Sequence, residues 1–120
     1  MMELTIKGQV YEFGFGMGFM REVNKRYQQP IDGIKDAKEN VGLQIMVAGV
    51  LARDAEYLVE ILDAANKGKT PRVTKNLLDS YIDEECEDID EVFEQVLHFL
   101  KTTNATKNIT IRFAEAIANK

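Results

Sequence analysis

The segment 41–52 constrains the fold more than any other part of this chain, because Gln44 is its only clearly polar side chain. A helix that is apolar on every side must be buried on every side. In a chain of 120 residues, that requires either a central core helix or a helix that shares one face with another chain. The segment also holds small residues that would let a neighbouring backbone approach closely, namely Gly42, Ala48, Gly49 and Ala52.

The N-terminal residues have the composition and spacing of a β-hairpin. Strand-forming residues occupy most of positions 3–13, and Gly8 interrupts them. We therefore predict strands at residues 3–7 and 9–13. A lone two-stranded hairpin is marginally stable in water, so one of its faces must pack on the rest of the domain.

The hydrophobic period changes after the hairpin. Apolar residues recur at every fourth position, which predicts an amphipathic helix. We expect this helix to end before Gln29-Pro30, because the residue that precedes a proline is disfavoured in a helix. Asp32-Gly33 is typical of a turn. The recurring apolar residues are Phe15, Phe19, Val23 and Tyr27.

Three later helices are predicted from their first residues. The side chains of Asp54, Thr74 and Asp88 can each accept a hydrogen bond from a free N–H group at a helix N-terminus. An apolar stripe with helical spacing follows each of them. We expect Gly68 to end the first of these helices and Asn104 to end the last.

The C-terminal residues 105–120 are ambiguous. Ile109-Thr110-Ile111 alternates like a strand, whereas the apolar residues that follow have helical spacing, and we favour a helix. The chain is thus predicted to be a single, mostly α-helical domain. It would have a short N-terminal β-hairpin at 3–13, a helical core at 14–104 and the C-terminal segment, with about five or six helices in a compact bundle.

Composition argues against several classes of function and location. A formal net charge of −5 opposes binding to the phosphates of nucleic acids. Cys86 is the single cysteine, so no intrachain disulfide is expected. The first ten residues do not have the basic and apolar regions of a signal peptide, and the longest apolar run, 45–52, is too short to span a membrane. We expect a cytoplasmic chain that binds neither nucleic acid nor membrane.

No set of residues points to catalysis, a cofactor or a metal. Glycines at 14, 16 and 18 follow a strand, but a dinucleotide-binding loop needs its third glycine at the sixth place, where Phe19 stands. His98 is the only histidine and falls on the polar side of its predicted helix. Cys86 lies between two glutamates, whose charge disfavours a thiolate. We therefore predict a non-enzymatic chain without catalytic or metal-binding residues.

Residues 79–94 form an acidic run, with nine acidic and no basic side chains. The run lacks the spacing and the glycine of an EF-hand calcium loop. Its carboxylates suit the positive N-terminal end of a helix, so a solvated helix start is favoured and an acidic docking surface is the alternative. The residues with which such a surface would bind are Asp83, Glu84, Glu87 and Asp88.

Several motifs together resemble one protein family. The predicted hairpin and the stretch from Phe13 to Lys25, with its three alternate glycines, are similar to the opening of the tail assembly chaperones of long-tailed phages. The resemblance continues through Gly42-Leu43-Gln44, the loop 69–72, Tyr81-Ile82-Asp83-Glu84 and Asn104-Ala105-Thr106. It covers most of the chain, through loose motifs rather than through a catalytic signature.

The resemblance implies a non-enzymatic role in phages or prophages of Gram-positive bacteria. Chaperones of this family bind the tape-measure protein, help to recruit tail-tube subunits and are absent from the mature virion. Many are made in two lengths by a programmed ribosomal frameshift, and this chain would be the shorter form. It would act in the cytoplasm of the bacterial host.

A chaperone for a long helical protein needs an apolar groove that covers the apolar stripe of the other chain, and self-association could complete such a groove. The rival hypothesis is a small acidic helical adaptor, or antitoxin-like regulatory module, that binds a basic protein surface through the acidic run. The candidate contact residues of the apolar groove are Phe15, Phe19, Val47, Val50 and Leu51.

Overall fold

The structure is a computed structural model that describes residues 1–30, 33 and 38–119. The described part has two small antiparallel hairpins and six α-helices, which confirms the predicted mostly helical fold with an N-terminal hairpin. In chain order the elements are β1 (Met2–Ile6), β2 (Gln9–Phe13), α1 (Met17–Arg26), β3 (Gln28–Pro30), β4 (Lys38–Asn40), α2 (Gly42–Leu51), α3 (Ala55–Asn66), α4 (Lys75–Ser80), a π-helical turn (Tyr81–Glu85), α5 (Ile89–Thr102) and α6 (Lys107–Ala118).

The first hairpin covers the core with one face. Alternate residues of β1 are buried, and they pair with β2 in a register that sets Met2 opposite Phe13 and Leu4 opposite Tyr11. The tight turn uses Lys7 and Gly8, which both have positive φ, as a two-residue hairpin loop requires. The hairpin therefore depends on the helices for its stability, as the sequence predicted.

Helix α1 begins two residues later than the periodicity of its apolar residues predicted. Phe15 precedes the helix, yet it is buried, with its ring 5.0 Å from that of Phe19 and 6.1 Å from that of Phe99. The helix ends at Arg26, before Gln29-Pro30 as expected. Tyr27 leads directly into the next strand.

A second hairpin, β3–β4, follows α1, and the sequence did not indicate it. Its strands have three residues each and are polar apart from Pro30, so they show no apolar alternation. Gly33 lies in a turn with φ of +79°, which agrees with the predicted turn, while Asp32 lies outside the described residues.

Helix α2 is the centre of the core. It contacts α1, α3, α5 and α6, and six of its ten residues are buried. The central-core interpretation of segment 41–52 is therefore the one that the structure supports. The predicted close approach is present at Gly42, where a Cβ atom would overlap the backbone of Val23, and at Gly49, where it would overlap the ring of Tyr57.

We expect Gly42→Ala to lower the free energy of unfolding by at least the ~1–3 kcal/mol typical of an overpacked core, since the obstructing Val23 carbonyl belongs to the backbone and cannot rotate away. Urea denaturation measures this loss. The matched control is Gly18→Ala in α1, where no atom lies within 4 Å of the new methyl group. There alanine should be neutral or stabilise by up to about 1 kcal/mol. Equal stabilities for the two variants would contradict the packing of α1 on α2.

The remaining helices begin where the sequence predicted. Carboxylate oxygens of Asp54 and Asp88 accept hydrogen bonds from backbone N–H groups of α3 and α5, and the hydroxyl of Thr74 accepts one from α4. Helix α3 ends at Asn66, before Gly68 with its φ of +83°, whereas α5 ends at Thr102, two residues before the predicted Asn104. The ambiguous C-terminal segment is helical over α6. Among the described residues, no helix has the length and hydropathy to cross a membrane.

Candidate protein-interaction surfaces

The predicted apolar contact residues lie mostly in the core. Phe15 and Phe19 are each 3% exposed, Val47 and Val50 are fully buried, and Leu51 is half-buried against the core. In the isolated chain these five side chains are therefore covered, and their role in contacts with a partner stays a prediction. The physical reason is that the apolar faces that carry these residues pack against one another and against α5 within the same chain.

The acidic run borders two depressions. Asp83, Glu84, Glu87 and Asp88 are all exposed, but Asp88 is committed to capping α5. Asp83 faces a groove between α3 and α4, whereas Glu87 and Asp88 lie beside a separate depression near β1. The run therefore bends around the π-helical turn and divides its charge between two places.

A groove lies between α3 and the segment formed by α4 and the π-helical turn. Its volume is about 390 Å³. Val59 and Ile82 are half-buried, pack on the core and supply its apolar floor. The other lining residues are Ala55, Glu56, Glu60, Lys75, Asp79 and Asp83.

Both walls of this groove carry the same short pattern. Residues 56–60 read Glu-Tyr-Leu-Val-Glu, and residues 79–83 read Asp-Ser-Tyr-Ile-Asp. In each, an acidic residue is followed three positions later by an aliphatic residue and four positions later by a second acidic residue, so the three lie on one helix face. Sequence reasoning missed the site because it treated the two stretches separately, but this repeated pattern was the available signal.

The π-helical turn continues α4 and sets the position of Ile82 and Asp83. Its defining hydrogen bond spans five residues rather than four and runs from the N–H of Cys86 to the carbonyl of Tyr81, at 2.7 Å. The carboxylate of Glu85 accepts a hydrogen bond of 3.0 Å from the N–H of Lys7, which holds the turn against the tip of the first hairpin. Single π-helical turns inside helices recur at functional sites.

One ion pair crosses the groove. The ammonium group of Lys75 donates to the carboxylate of Glu60 at 2.7 Å, and this hydrogen bond is the main cause of a raised Lys75 pKa. Since these two charges neutralise each other, the local charge is set by Glu56, Asp79 and Asp83. These three side chains are exposed, and within the described part of the chain none of them forms an ion pair. The groove is therefore acidic around an apolar floor.

A charge network behind the groove fixes α1 to α3. The guanidinium of Arg26 donates to Glu22 at 2.7 Å, to Asp63 at 2.8 Å and to Glu60 at 3.2 Å. Burial opposes the charge of Arg26, but its hydrogen bonds to Glu22 and Asp63 outweigh that and raise its pKa. Burial alone would raise the pKa of the Glu22 carboxyl, but its hydrogen bonds to Arg26 and Lys67 outweigh burial, so that pKa is lowered. The wall that carries Glu60 is thus linked to α1 by ion pairs.

A smaller depression of about 250 Å³ continues from the groove across Glu56 and Glu60. Tyr27 and Tyr57 border it, and both side chains are half-buried. Burial, followed by the nearby charge of Glu60, raises the pKa of Tyr27. Half-buried tyrosines next to an apolar floor are typical of residues that contribute strongly to protein binding.

The other predicted features lie away from this groove. His98 is exposed on α5, and Cys86 is half-buried at the end of the π-helical turn, where burial and the Cys86 thiol raise the pKa of Tyr81 to about 12. In the residues that the structure describes, no three histidine, cysteine, aspartate or glutamate side chains are placed to hold a metal ion.

Helix α6 exposes three apolar side chains. Ile109, Ile111 and Ile117 are each between 37% and 40% exposed. At about 100° per residue, Ile111 lies roughly 200° around the helix from Ile109, and Ile117 lies roughly 80° from Ile109. Ile109 and Ile117 therefore share one side of α6, whereas Ile111 lies on another side.

Comparison with known families decides the class of protein. The model of the phage tail assembly chaperone proteins matches residues 3–115, from the first hairpin into α6. The chain belongs to the phage tail assembly chaperone family. The resemblance drawn from the sequence motifs is thereby confirmed, and membership points to a non-enzymatic role. The comparisons with curated proteins and with solved structures give no match. The α3–α4 groove of this tail assembly chaperone lies wholly within the matched residues.

Proposed function

We propose that this tail assembly chaperone binds the tape-measure protein during tail assembly and helps to recruit tail-tube subunits to it. It works stoichiometrically, by protein contacts, in the cytoplasm of the bacterial host, and it is not retained in the mature virion. The observation that carries the proposal is the family match over residues 3–115.

The surface of the chain is compatible with that role. A long helical protein presents an apolar stripe that must be covered before the tail tube is built around it. A folded domain covers such a stripe most simply by laying it into a groove between two of its own helices. The α3–α4 groove has an apolar floor, and the ion pair between Arg26 and Asp63 ties its α3 wall to α1.

Co-expression with the tape-measure protein encoded beside this gene tests the proposal. We expect the tape-measure protein to be mostly insoluble alone, to become soluble with the chaperone, and to co-purify with it. The control is co-expression with an unrelated acidic helical protein of similar size. A tape-measure protein that is equally soluble in both cases, with no complex recovered, would overturn the proposal.

The proposal includes a longer, frameshifted product of the same gene. The coding DNA around Asn119 and Lys120 tests this part separately. A slippery heptamer followed by a second open reading frame would support it, and the absence of both would remove the longer product from the proposal.

The acidic adaptor is the weaker hypothesis. It would use the acidic residues 79–94 to bind a basic surface, but Asp83 and Glu87 of that run border different depressions. Asp88 is also engaged in capping α5.

A further inference from the structure

We infer that the α3–α4 groove is the docking site for one basic amphipathic helix, with an apolar ridge that enters the groove and lysine or arginine side chains on both sides of the ridge. The inference rests on the proposed function, because it takes the helix to be a segment of the tape-measure protein. It adds the site and the chemistry of the partner.

The form of the groove favours a helix over an extended strand. Both walls are helical, so their backbone N–H and C=O groups are bonded within the helices and cannot pair with a strand. Recognition must therefore use side chains. The floor offers two half-buried aliphatic residues, Val59 and Ile82, one from each wall. An apolar ridge with a spacing of three and four residues fits between two such walls.

The charges around the floor favour a basic partner. Glu56 lies on one side of the floor, and Asp79 and Asp83 lie on the other. All three carboxylates are exposed and lack an ion pair within the described residues, so they are available to a partner's lysine or arginine. Among the described residues that line the groove, Lys75 is the single cation, and it is already bonded to Glu60 at 2.7 Å. Charge complementarity of this kind gives specificity and speeds association.

The probe for the first test is a synthetic helical peptide of about 18 residues, five turns, with leucine at every third and fourth position and lysine on both sides of the leucine stripe. Fluorescence anisotropy measures its affinity for the full-length chaperone. The matched peptide carries glutamate in place of lysine. We expect the lysine peptide to bind, with an affinity that falls as salt is added, and the glutamate peptide not to bind. Equal affinity for both peptides would overturn the assignment of a basic partner.

Chaperone variants locate the site. Glu56→Lys combined with Asp83→Lys reverses one charge on each side of the groove, and we expect the affinity for the lysine peptide to fall about ten- to hundredfold. The control, Glu3→Lys combined with Glu115→Lys, changes the net charge equally at exposed positions away from the groove, and we expect its affinity to fall less than about threefold. Ile82→Ser should weaken binding about tenfold and leave the salt dependence unchanged. Circular dichroism confirms that each variant is folded.

The same variants, co-expressed with the tape-measure protein, separate the two proposals. If the tape-measure protein no longer co-purifies with the groove variant but still co-purifies with the control, the docking site is supported. Retention by both would overturn the docking site and leave the proposed function standing. A wild-type chain that binds the lysine peptide but not the tape-measure protein would overturn the proposed function and leave the groove chemistry standing. Light scattering tests a further outcome. If the wild-type chain is a dimer and the groove variant is a monomer, the groove binds a second copy of this chain, and the tape-measure helix is not its partner.

Discussion

Replacing Asn66 with alanine is expected to remove about 3–5 kcal/mol from the free energy of unfolding, a large part of the ~5–15 kcal/mol available to a domain. Asn66 is fully buried at the end of α3. Its amide nitrogen donates to the carbonyl oxygens of Glu12 and Pro71 at 2.9 and 3.2 Å, and its amide oxygen accepts from the N–H of Val73 at 2.6 Å. Alanine leaves these backbone groups without partners, at about 1–3 kcal/mol for each buried one.

Urea denaturation followed by circular dichroism measures the loss at Asn66. The matched control is Asn76→Ala in α4, because Asn76 is exposed and alanine is the better helix former. We expect the control to change stability by less than about 0.5 kcal/mol. A loss below 1 kcal/mol for Asn66→Ala would show that the first hairpin and the loop after α3 do not depend on this side chain.

Val50→Asp is expected to abolish the native fold. Val50 is fully buried in α2, and no lysine or arginine is among the buried residues of the described core that could compensate a carboxylate. An unpaired buried charge costs several kcal/mol, in addition to the loss of aliphatic packing. We expect a poorly structured chain with no cooperative thermal transition, measured by circular dichroism and by the dispersion of its amide NMR spectrum.

The comparison variant for Val50→Asp is Ala52→Asp, two residues further on, where the side chain is exposed. An aspartate there meets the negative C-terminal end of α2 and should cost only about 0.3–1 kcal/mol. A Val50→Asp chain that stays folded but loses its partner would mean that α2 is an interface, which was the alternative interpretation of segment 41–52.

The local elements were predictable because short-range chemistry determines them. The N-terminal caps at Asp54, Thr74 and Asp88 each depend on one side chain and the backbone two or three residues away. The second hairpin was not predictable on the same grounds, because the sequences of its three-residue strands contain no alternating apolar residues. The π-helical turn was also missed, since residues 75–85 keep an ordinary helical spacing of apolar side chains.

The site was only partly predictable, because periodicity identifies an apolar face but not what covers it. Phe15 and Phe19 have the spacing of an interaction surface, yet they are covered by their own chain. Asp83 was among the predicted contact residues and does line the groove, whereas the other three predicted acidic residues, Glu84, Glu87 and Asp88, do not. The floor residues Val59 and Ile82 are 23 positions apart in the sequence, and only the packing of α3 on α4, which continues into the π-helical turn, brings them together.

The claim that this chain is needed for tail assembly is tested most directly by electron microscopy of lysates. The measurement is the number of tails made by a phage or prophage from which this gene has been deleted. We expect heads without attached tails, and we expect full-length tails to be restored when the chain is supplied in trans. We also expect the groove variant Glu56→Lys with Asp83→Lys to restore far fewer tails than the surface variant Glu3→Lys with Glu115→Lys. Normal numbers of full-length tails in the absence of the gene would contradict the account.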